Sequence, residues 1–385
     1  MPPTATMPRS PGVGAVGASR GQAARTGSPL LRLALIFGAL LVYLGYRATV
    51  PSPHKVLESA VSFTPASATI SRRVVAVADL HGDLQHAHNV LRMAGIIDAS
   101  ANWIGGDAVL ASTGDIVDRG DDTIELYKMF DRLRQQALEH GGEVRNCLGN
   151  HEMMNALHDW RYVTPGDVKS FGGPQARRNV MSSSGWIGKA WMSNYTISQT
   201  VPLLSPHKVP TGVPSHYAVP HASFVHGGIH PEWAAKGLDH INEVGRSLLF
   251  RALDWKSPRG HLPPDTSREE MSLYDEMGPL WYRGYAYETE EEVCHLAHAA
   301  KESLGVRHLV MGHTPHFDGF VVRCDAAVLL IDTGISRAYG GEQSALIFDT
   351  ELLPLAKGAW EEKSTLTALY RGRRPKIIKE IRKVV

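Results

Sequence analysis

The chain has 385 residues, 43% of them hydrophobic, which is enough for one large globular domain or two smaller ones. Its 40 Lys and Arg against 39 Asp and Glu leave a formal net charge of +1, which gives no reason to expect a nucleic-acid partner. The cysteines, Cys147, Cys294 and Cys324, are scattered and lack C-x-x-C spacing. We therefore expect neither a disulfide scaffold nor a thiolate zinc site.

A basic segment without acidic residues occupies positions 1–57 and is rich in Pro, Gly, Ala and Ser. We expect residues 1–29 to be a disordered basic N-terminus and residues 49–71 to be a linker. Residues 30–48 between them are largely apolar, and their number is close to the ~20 residues that a membrane-spanning helix needs. The segment therefore predicts a single-pass membrane anchor, with a membrane as a partner.

Other interpretations of residues 30–48 stay open. The segment could be a cleaved signal peptide or an Arg-rich organelle transit sequence, and a buried core helix is a further alternative. More arginines lie before the segment than directly after it, which favours a catalytic part on the non-cytosolic side. The expected location is a membrane of the endomembrane system, of the secretory pathway or of an organelle, with mitochondria as the alternative.

Three strand-to-loop units follow the linker at a spacing of about 35 residues, as consecutive βαβ units do. Apolar runs at 73–78, 107–112 and 143–148 predict buried strands, and helical patterns follow the first two. Each strand ends in a polar turn that contains glycine. Since an open α/β sheet builds its site at the carboxyl ends of its strands, these turns are the candidate site.

The second half of the chain is less regular. Residues 153–220 are rich in Trp, Pro, Gly and Ser, and they predict a helical and loop insertion near the site. Further strands are predicted at 223–225, 308–311, 326–331 and 344–348. Residues 371–385 are strongly basic, so a solvated tail is the default there, with contact to a membrane surface or a partner as the alternative.

The turn at residues 114–120 places Asp115, Asp118 and Arg119 directly behind a predicted buried strand. A carboxylate at this position is costly unless a cation or hydrogen-bond donors compensate it. Taken alone, the turn is consistent both with a structural Asp/Arg ion pair and with a metal ligand. The decision therefore depends on the other strand ends.

Polar side chains follow five predicted strands, each in a glycine-containing turn: Asp79, His81, Asp115, Asn150, His226 and His313. A lone histidine after a strand is more often a hydrogen-bonded core residue, but coincidence is a poor explanation for the whole set. Oxygen and imidazole donors without thiolate suit Mn, Fe or Zn. Because one carboxylate can be shared between two ions, we expect a pair of divalent metal ions.

These motifs resemble the metallophosphoesterase superfamily, and within it the PPP-type phosphoprotein phosphatases. Residues 114–120 match GDxxDRG, residues 149–152 match GNHE, and residues 226–228 match HGG. Ala78 replaces the leading glycine of the usual GDxHG motif, which should affect the local backbone more than metal binding. The GHTP sequence at 312–315, and the lack of an SAPNY-like segment, make the Shewanella-like protein phosphatases the most similar branch.

The resemblance implies the fold and the division of the ligands. We expect an α/β sandwich of two mixed sheets packed face to face, with helices outside, in a catalytic domain at 72–355 followed by a basic extension at 356–385. One ion would be held by Asp79, His81 and Asp115. The other would be held by Asp115, Asn150, His226 and His313, so that Asp115 bridges the two.

The resemblance also implies catalytic roles. A hydroxide shared by the two ions would attack phosphorus without a covalent enzyme intermediate. His151 would give a proton to the leaving oxygen, and Asp118 would orient that imidazole and raise its basicity. Arg119 and Arg283 would bind the phosphate oxygens. For Arg283 the sequence pattern is weaker, and a surface ion pair is the alternative.

Three functions are compatible with these residues. The first is a membrane-tethered, metal-dependent phosphatase that acts on phosphoproteins, at Ser/Thr or at Tyr. The second is a hydrolase of dinucleoside polyphosphates or other small phosphoesters, since such enzymes share GDxxDRG, GNHE and GHTP. The third is an inactive, membrane-bound binding module, against which the intact Asp118, His151 and Arg119 argue.

Overall fold

Two mixed β-sheets lie at the centre of the residues that this computed structural model describes, 69–255 and 260–385. In chain order the strands are β1 (Ile70–Val77), β2 (Val109–Ser112), β3 (Glu143–Cys147), β4 (Tyr195–Thr196), β5 (Ser198–Pro202), β6 (His221–Val225), β7 (His308–Met311), β8 (Val321–Arg323), β9 (Val328–Leu330), β10 (Ser344–Pro354), β11 (Trp360–Tyr370) and β12 (Lys376–Val384). One sheet has the order β12-β11-β10-β1-β2-β3-β4, and the other has the order β5-β6-β7-β9-β8.

Amphipathic helices cover the sheets. They are α1 (Leu84–Met93), α2 (Thr123–Glu139), α3 (Asn150–Ala156), α4 (Pro165–Ser170), α5 (Pro174–Met181), α6 (Trp186–Asn194), α7 (Pro231–Ala234), α8 (Leu238–Asp254), α9 (Arg268–Leu273), α10 (Gly284–Tyr287) and α11 (Glu290–Leu304). In α2 the buried side chains Leu126, Phe130, Leu133 and Ala137 recur every three or four residues. They form the apolar face by which this helix joins the core.

Strand β1 is buried on both faces, which explains its continuous apolar sequence. Val74 lies in the core between the two sheets, together with Phe224 of one sheet and Phe348 of the other. Its neighbour Val75 lies in the opposite core, where α1 and α2 cover the sheet. Alternate side chains of a strand point to opposite faces, so both faces require apolar residues here. The fold is the predicted α/β sandwich of two mixed sheets with helices.

Parallel pairing brings the ends of the central strands together. Strands β1, β2 and β3 are parallel neighbours, with Val74 beside Val109 and Leu110 beside Val144. Strands β6, β7 and β9 are parallel neighbours in the second sheet. Because the carboxyl ends of parallel strands meet at one edge, the turns that follow them converge there.

The predicted membrane anchor at residues 30–48 lies outside the described residues. Within 69–255 and 260–385, no helix is long and apolar enough to cross a membrane. Helices α2 and α8, for example, have 17 residues each and include charged side chains, whereas a span requires ~20 predominantly apolar residues. We therefore correct the predictions of a transmembrane helix, of a single-pass membrane location and of a membrane partner.

The basic C-terminal residues belong to the larger sheet, so the prediction of a solvated tail at 371–385 was wrong. Strand β11 pairs antiparallel with β10, and β12 pairs antiparallel with β11. Ile378 and Ile381 of β12 are half-buried, whereas Lys376 and Arg382 are exposed. Isoleucines interspersed among charged residues thus allow a strand at the sheet edge, although the composition is basic.

One disulfide bond joins Cys294 of α11 to Cys324 in the turn between β8 and β9. The scattered cysteines had argued against a disulfide scaffold, because spacing along the sequence does not show which elements are neighbours in space. The side chain of Arg323 bonds to that of Glu290 at 2.7 Å beside the disulfide. The remaining cysteine, Cys147, is free and buried.

The packing between the sheets predicts a large effect of Phe348→Ala. Phe348 is 1% exposed and packs edge-to-face against Phe224, with the ring centroids 6.4 Å apart. Removing the ring leaves a cavity between two sheets that are each hydrogen-bonded internally, so we expect the free energy of unfolding to fall by about 3–5 kcal/mol. Urea unfolding of the full chain measures this change.

Phe250→Ala is the matched control, because Phe250 is 61% exposed on α8. We expect it to change the free energy of unfolding by less than about 1 kcal/mol. Equal effects of the two substitutions would show that the core between the sheets is not as the structure places it.

Candidate active site

The turns after five strands meet at one place in the molecule. They bring together the six side chains predicted as metal ligands: Asp79, His81, Asp115, Asn150, His226 and His313. All six are between 0% and 5% exposed. Their proximity agrees with the sequence analysis, and their function as ligands stays a prediction.

The turn after β2 has an unusual backbone. Asp115, Asp118 and Arg119 have φ angles of 50°, 72° and 62°, in a region that residues with a side chain rarely adopt. A Cβ atom at Gly114 would lie 2.5 Å from the amide nitrogen of Gly149, so only glycine allows the two loops to approach this closely. Such conformations persist where surrounding contacts fix them.

Glu152 supplies contacts that fix this turn. One of its carboxylate oxygens accepts from the amides of Gly149 at 2.7 Å and Asp115 at 3.0 Å. The other accepts from the amide of Ile116 at 2.9 Å and from the hydroxyl of Tyr127 at 2.9 Å. Glu152 therefore holds the loops after β2 and β3 in register with each other and serves as a hydrogen-bond acceptor.

Around His81, an imidazole nitrogen and two carboxylate oxygens turn their lone pairs toward one another. Its Nδ1 donates to the carbonyl oxygen of Val117 at 3.0 Å, so Nε2 carries the lone pair. That Nε2 lies 3.8 Å from Asp79 Oδ2 and 3.7 Å from Asp115 Oδ2. Burial and the neighbouring His151 lower the pKa of His81 to about 3, so the imidazole is neutral. Acceptor atoms that converge in this way are unfavourable unless a cation lies among them.

The same arrangement recurs around His226. Its Nδ1 donates to the carbonyl oxygen of Thr113 at 3.1 Å, and its Nε2 lies 2.7 Å from Asn150 Oδ1 and 3.3 Å from Asp115 Oδ2. The ring of His313 lies 4.7 Å from that of His226, measured between centroids. Within the described residues, the buried Nε2 of His313 has no hydrogen-bond partner. A metal ion would satisfy these atoms.

The cluster also contains more buried negative charge than its protein neighbours compensate. Burial raises the pKa of Asp79 well above its ordinary range, and the carboxylates of Asp332 and Asp115 add to this effect. Burial raises the pKa of Asp332 to about 6. At Asp115 burial acts in the same direction, but the imidazoles of His226 and His151 outweigh it and hold the pKa well below its ordinary range. Divalent cations would stabilise all three carboxylates in the ionised form.

These donors fit a pair of divalent metal ions. Two groups of buried side chains can each bring ligand atoms within 4.8 Å of one another, and both groups contain Asp115: Asp79–Asp115–His226 and His81–Asp115–His151. A carboxylate common to two groups is what a two-ion site requires. The second group includes His151, which the sequence analysis assigned to proton transfer and not to metal binding.

His151 and Asp118 form a buried pair beside the cluster. Nδ1 of His151 donates to Asp118 Oδ2 at 2.7 Å, which fixes the ring and leaves Nε2 facing Asp115 Oδ2 at 3.7 Å. Burial disfavours the imidazolium, but the carboxylates of Asp115 and Asp118 outweigh burial and raise the pKa of His151 above its ordinary value. The pair is arranged to hold a proton and present it at the cluster.

Arg119 contacts two aromatic rings at the edge of the cluster. The carbon atom of its guanidinium is 4.3 Å from the ring centroid of Tyr162 and 4.8 Å from that of Tyr339. Its buried Nε has no hydrogen-bond partner within the described residues. Aromatic faces hold a guanidinium without using its N–H groups, which stay free to bind an anion.

Arg283 lies against the loop that carries His313. Its Nη1 donates to the carbonyl oxygen of His313 and to Thr314 Oγ1, both at 2.9 Å. This contact differs from the surface ion pair that was its alternative. These hydrogen bonds fix one guanidinium nitrogen of Arg283 to the loop that carries His313.

Sequence reasoning did not single out Asp332, Tyr162 or Tyr339. Asp332 directly follows the predicted strand at 326–331, so a strand-end signal was present, but no motif marked it. The two tyrosines lie in irregular segments without periodicity. Only the folded chain shows that they meet at Arg119.

Known proteins resemble this chain over most of its length. The calcineurin-like phosphoesterase family matches residues 72–317. An uncharacterized protein of Schizosaccharomyces pombe is 38% identical over 78% of this chain and 81% of its own length. Shewanella-like protein phosphatase 2 of Arabidopsis thaliana is 27% identical over 69% of this chain and 72% of its own. The solved cold-active protein-tyrosine phosphatase of a psychrophilic Shewanella species has a TM-score of 0.58 and 25% identity, and the match covers 80% of both chains.

The shared position of Asp115 predicts a strong effect of Asp115→Asn on metal binding. The amide removes the charge that both groups of ligands use, so we expect affinity for Mn²⁺ to fall by at least about tenfold. Because the imidazoles of His226 and His151 stabilise the Asp115 carboxylate in the folded chain, thermal stability without metal should also fall, and the further stabilisation by added Mn²⁺ should be lost. Equilibrium dialysis and thermal unfolding measure the two effects.

Asp349→Asn is the control, since the Asp349 side chain is 40% exposed and pairs with Arg73 on the surface. Metal affinity should stay at the wild-type level in this variant. Two tightly bound ions per chain in the Asp115→Asn variant would refute the bridging position of Asp115.

Proposed function

Because this chain belongs to the calcineurin-like phosphoesterase family, we propose that it is a metal-dependent phosphoprotein phosphatase that hydrolyses phosphomonoesters. The observation that carries the proposal is the position of Asp115, which faces two groups of buried ligand atoms. The His151–Asp118 pair and Arg119 lie beside these groups. In this proposal the site therefore has residues for binding metal, for donating a proton and for binding phosphate.

Two divalent ions, of Mn, Fe or Zn, would supply activation of a water molecule at neutral pH and neutralisation of charge on the phosphoryl group. The residues that would hold one ion are Asp79, His81 and Asp115. Those that would hold the other are Asp115, Asn150, His226 and His313. No protein nucleophile is then required.

The arginines orient the substrate phosphate in this proposal. The guanidinium of Arg119 lies over the rings of Tyr162 and Tyr339, and these contacts restrict the direction of its N–H fork. Arg283 is fixed to the loop of His313 by two hydrogen bonds. Two guanidinium groups stabilise negative charge on the phosphoryl oxygens, and this effect grows as charge spreads over them in the transition state.

The proton for the leaving oxygen comes from His151. Its Nδ1 is bound to Asp118, so the proton to be transferred is the one on Nε2, which faces the cluster. Asp118 stabilises the imidazolium and prevents the ring from turning. The leaving group departs as a serine, threonine or tyrosine hydroxyl, which is a far better leaving group than the corresponding oxyanion.

A protein substrate is supported by the names of the relatives. The Arabidopsis relative is a protein phosphatase and the Shewanella structure is a protein-tyrosine phosphatase. We expect the full chain with Mn²⁺ to release phosphate from phosphopeptides faster than from a dinucleoside polyphosphate. Parallel assays with phosphotyrosine and phosphoserine/threonine peptides and diadenosine tetraphosphate measure the preference.

Each outcome of this assay has a definite meaning. Preference for the dinucleotide would replace the proposal with a small-phosphoester hydrolase. A folded, metal-loaded protein that hydrolyses none of these substrates with Mn, Fe or Zn would overturn it in favour of a binding module.

The assignment of the proton donor predicts the effect of His151→Asn. Without the imidazole the leaving oxygen must depart unprotonated, so kcat should fall by about 10²–10⁴. The ion content, measured by elemental analysis, should stay at two per chain, because this proposal gives His151 no metal. Loss of an ion together with activity would mean that His151 is a ligand, as the grouping with His81 and Asp115 allows.

A further inference from the structure

A second buried ionic cluster lies behind Asp118, on the side away from His151. Its centre is Arg177 on α5, within the segment 153–220. Arg177, Asp118 and Asp167 are each 0% exposed, and Asn155 is 1% exposed. The mechanism above makes no use of this arginine, and the sequence analysis assigned no role to it.

Arg177 connects to Asp118 in two ways. Its Nη2 lies 3.5 Å from Asp118 Oδ1, where the opposite charges attract each other although Nη2 has no hydrogen-bond partner among the described residues. Its Nη1 donates to Asn155 Oδ1 at 2.6 Å, and Nδ2 of Asn155 donates in turn to Asp118 Oδ1 at 2.8 Å. One carboxylate oxygen of Asp118 therefore faces His151, and the other faces Asn155 and Arg177.

The remaining contacts hold Arg177 in place. Its Nε donates to Asp167 Oδ2 at 2.8 Å. Its guanidinium carbon lies 4.9 Å from the ring centroid of Trp160 and 5.4 Å from that of Phe171. The guanidinium thus has one carboxylate that anchors it, two rings that shield it from water, and one fork that points toward Asp118 and Asn155.

A buried ionic cluster of this kind adds little to the stability of the protein. Buried ion pairs lose hydration that their attraction only partly restores, and apolar side chains of similar volume are often as stable. What the arginine contributes beyond stability is geometry, since a planar fork fixes the direction of the groups that it binds. The group fixed here is the carboxylate that orients the proton donor.

We propose that Arg177 is a positioning residue for proton transfer: through Asn155 and Asp118 it sets the orientation of the His151 imidazole. This inference depends on the proposed function, because it presumes that His151 protonates the leaving group. Arg177 does not touch substrate. Its effect should therefore appear in the step that needs a proton and not in substrate binding.

The test compares two leaving groups in the full-length, Mn²⁺-loaded protein. Loss of p-nitrophenolate needs little help from a proton, whereas loss of phenolate from phenyl phosphate needs more. In Arg177→Met, whose side chain can still pack between Trp160 and Phe171, we expect kcat for phenyl phosphate to fall by about tenfold more than kcat for p-nitrophenyl phosphate. KM for both substrates should stay within about twofold of wild type.

Arg178→Met is the matched control. Arg178 is the next residue on α5 and its guanidinium lies 4.8 Å from the same Trp160 ring. Among the described residues it has no salt bridge or hydrogen bond to Asp118. The ratio of the two kcat values should equal that of the wild type in this variant.

Two further variants keep the inference falsifiable. Arg177→Lys retains the charge but not the fork, so the kcat ratio should move in the same direction by about threefold even if Arg177→Met does not fold. Asp118→Asn with Arg177→Met should be no more impaired than Asp118→Asn alone, since both act through one carboxylate.

The outcomes separate the inference from the proposed function. If the wild type hydrolyses neither aryl phosphate nor any phosphopeptide, the proposed function has failed. If the wild type is active and His151→Asn changes the kcat ratio but the Arg177 variants do not, only the inference is overturned. Equal losses on both substrates would identify Arg177 as a purely structural residue.

Discussion

The site depends on one unfavourable interaction: acceptor atoms of several buried side chains converge on Asp115. His81 and His226 each use Nδ1 on a backbone carbonyl, which turns their Nε2 lone pairs toward the Asp115 carboxylate. Such an arrangement is unfavourable unless a cation lies among the acceptor atoms, and the rest of the structure keeps it from relaxing. Two sheets fix the strand ends, and Glu152 ties the loops together.

The two sides of the Asp115 turn are stabilised by different physical means. Toward the cluster, Arg119 is held by the faces of Tyr162 and Tyr339, and its N–H groups stay available. Away from the cluster, Asp118 is held by hydrogen bonds and charge, and Arg177 lies at the end of that network. In the proposed function Arg119 binds phosphate and needs free donors, whereas Asp118 orients an imidazole and needs its own acceptors occupied. The contacts of the two residues differ accordingly.

The sequence was sufficient for those parts of the site that lie next to strand ends. Apolar runs followed by polar, glycine-containing turns located Asp79, Asp115 and His313 because parallel strands must end at a common edge. Long-range neighbours carried no such signal: Arg177, the disulfide partners and the tyrosines around Arg119 are distant in sequence from what they contact. At residues 371–385 the basic composition led to the wrong prediction of a solvated tail, because a basic segment with interspersed isoleucines can still pair at a sheet edge. The membrane anchor predicted at residues 30–48 was corrected on the finding that no described helix could cross a membrane.

The pairing of β1 has a consequence for the order in which the protein assembles. On one side β1 pairs with β2, which follows soon after it, but on the other side Val74 pairs with Phe348 of β10. During synthesis from the N-terminus, β1 must therefore wait with one edge unpaired until β10 (Ser344–Pro354) has left the ribosome. Asp79, which directly follows this strand, meets His313 only in the same late period. A nascent chain thus holds the residues of the candidate site in separate pieces until β10 is made.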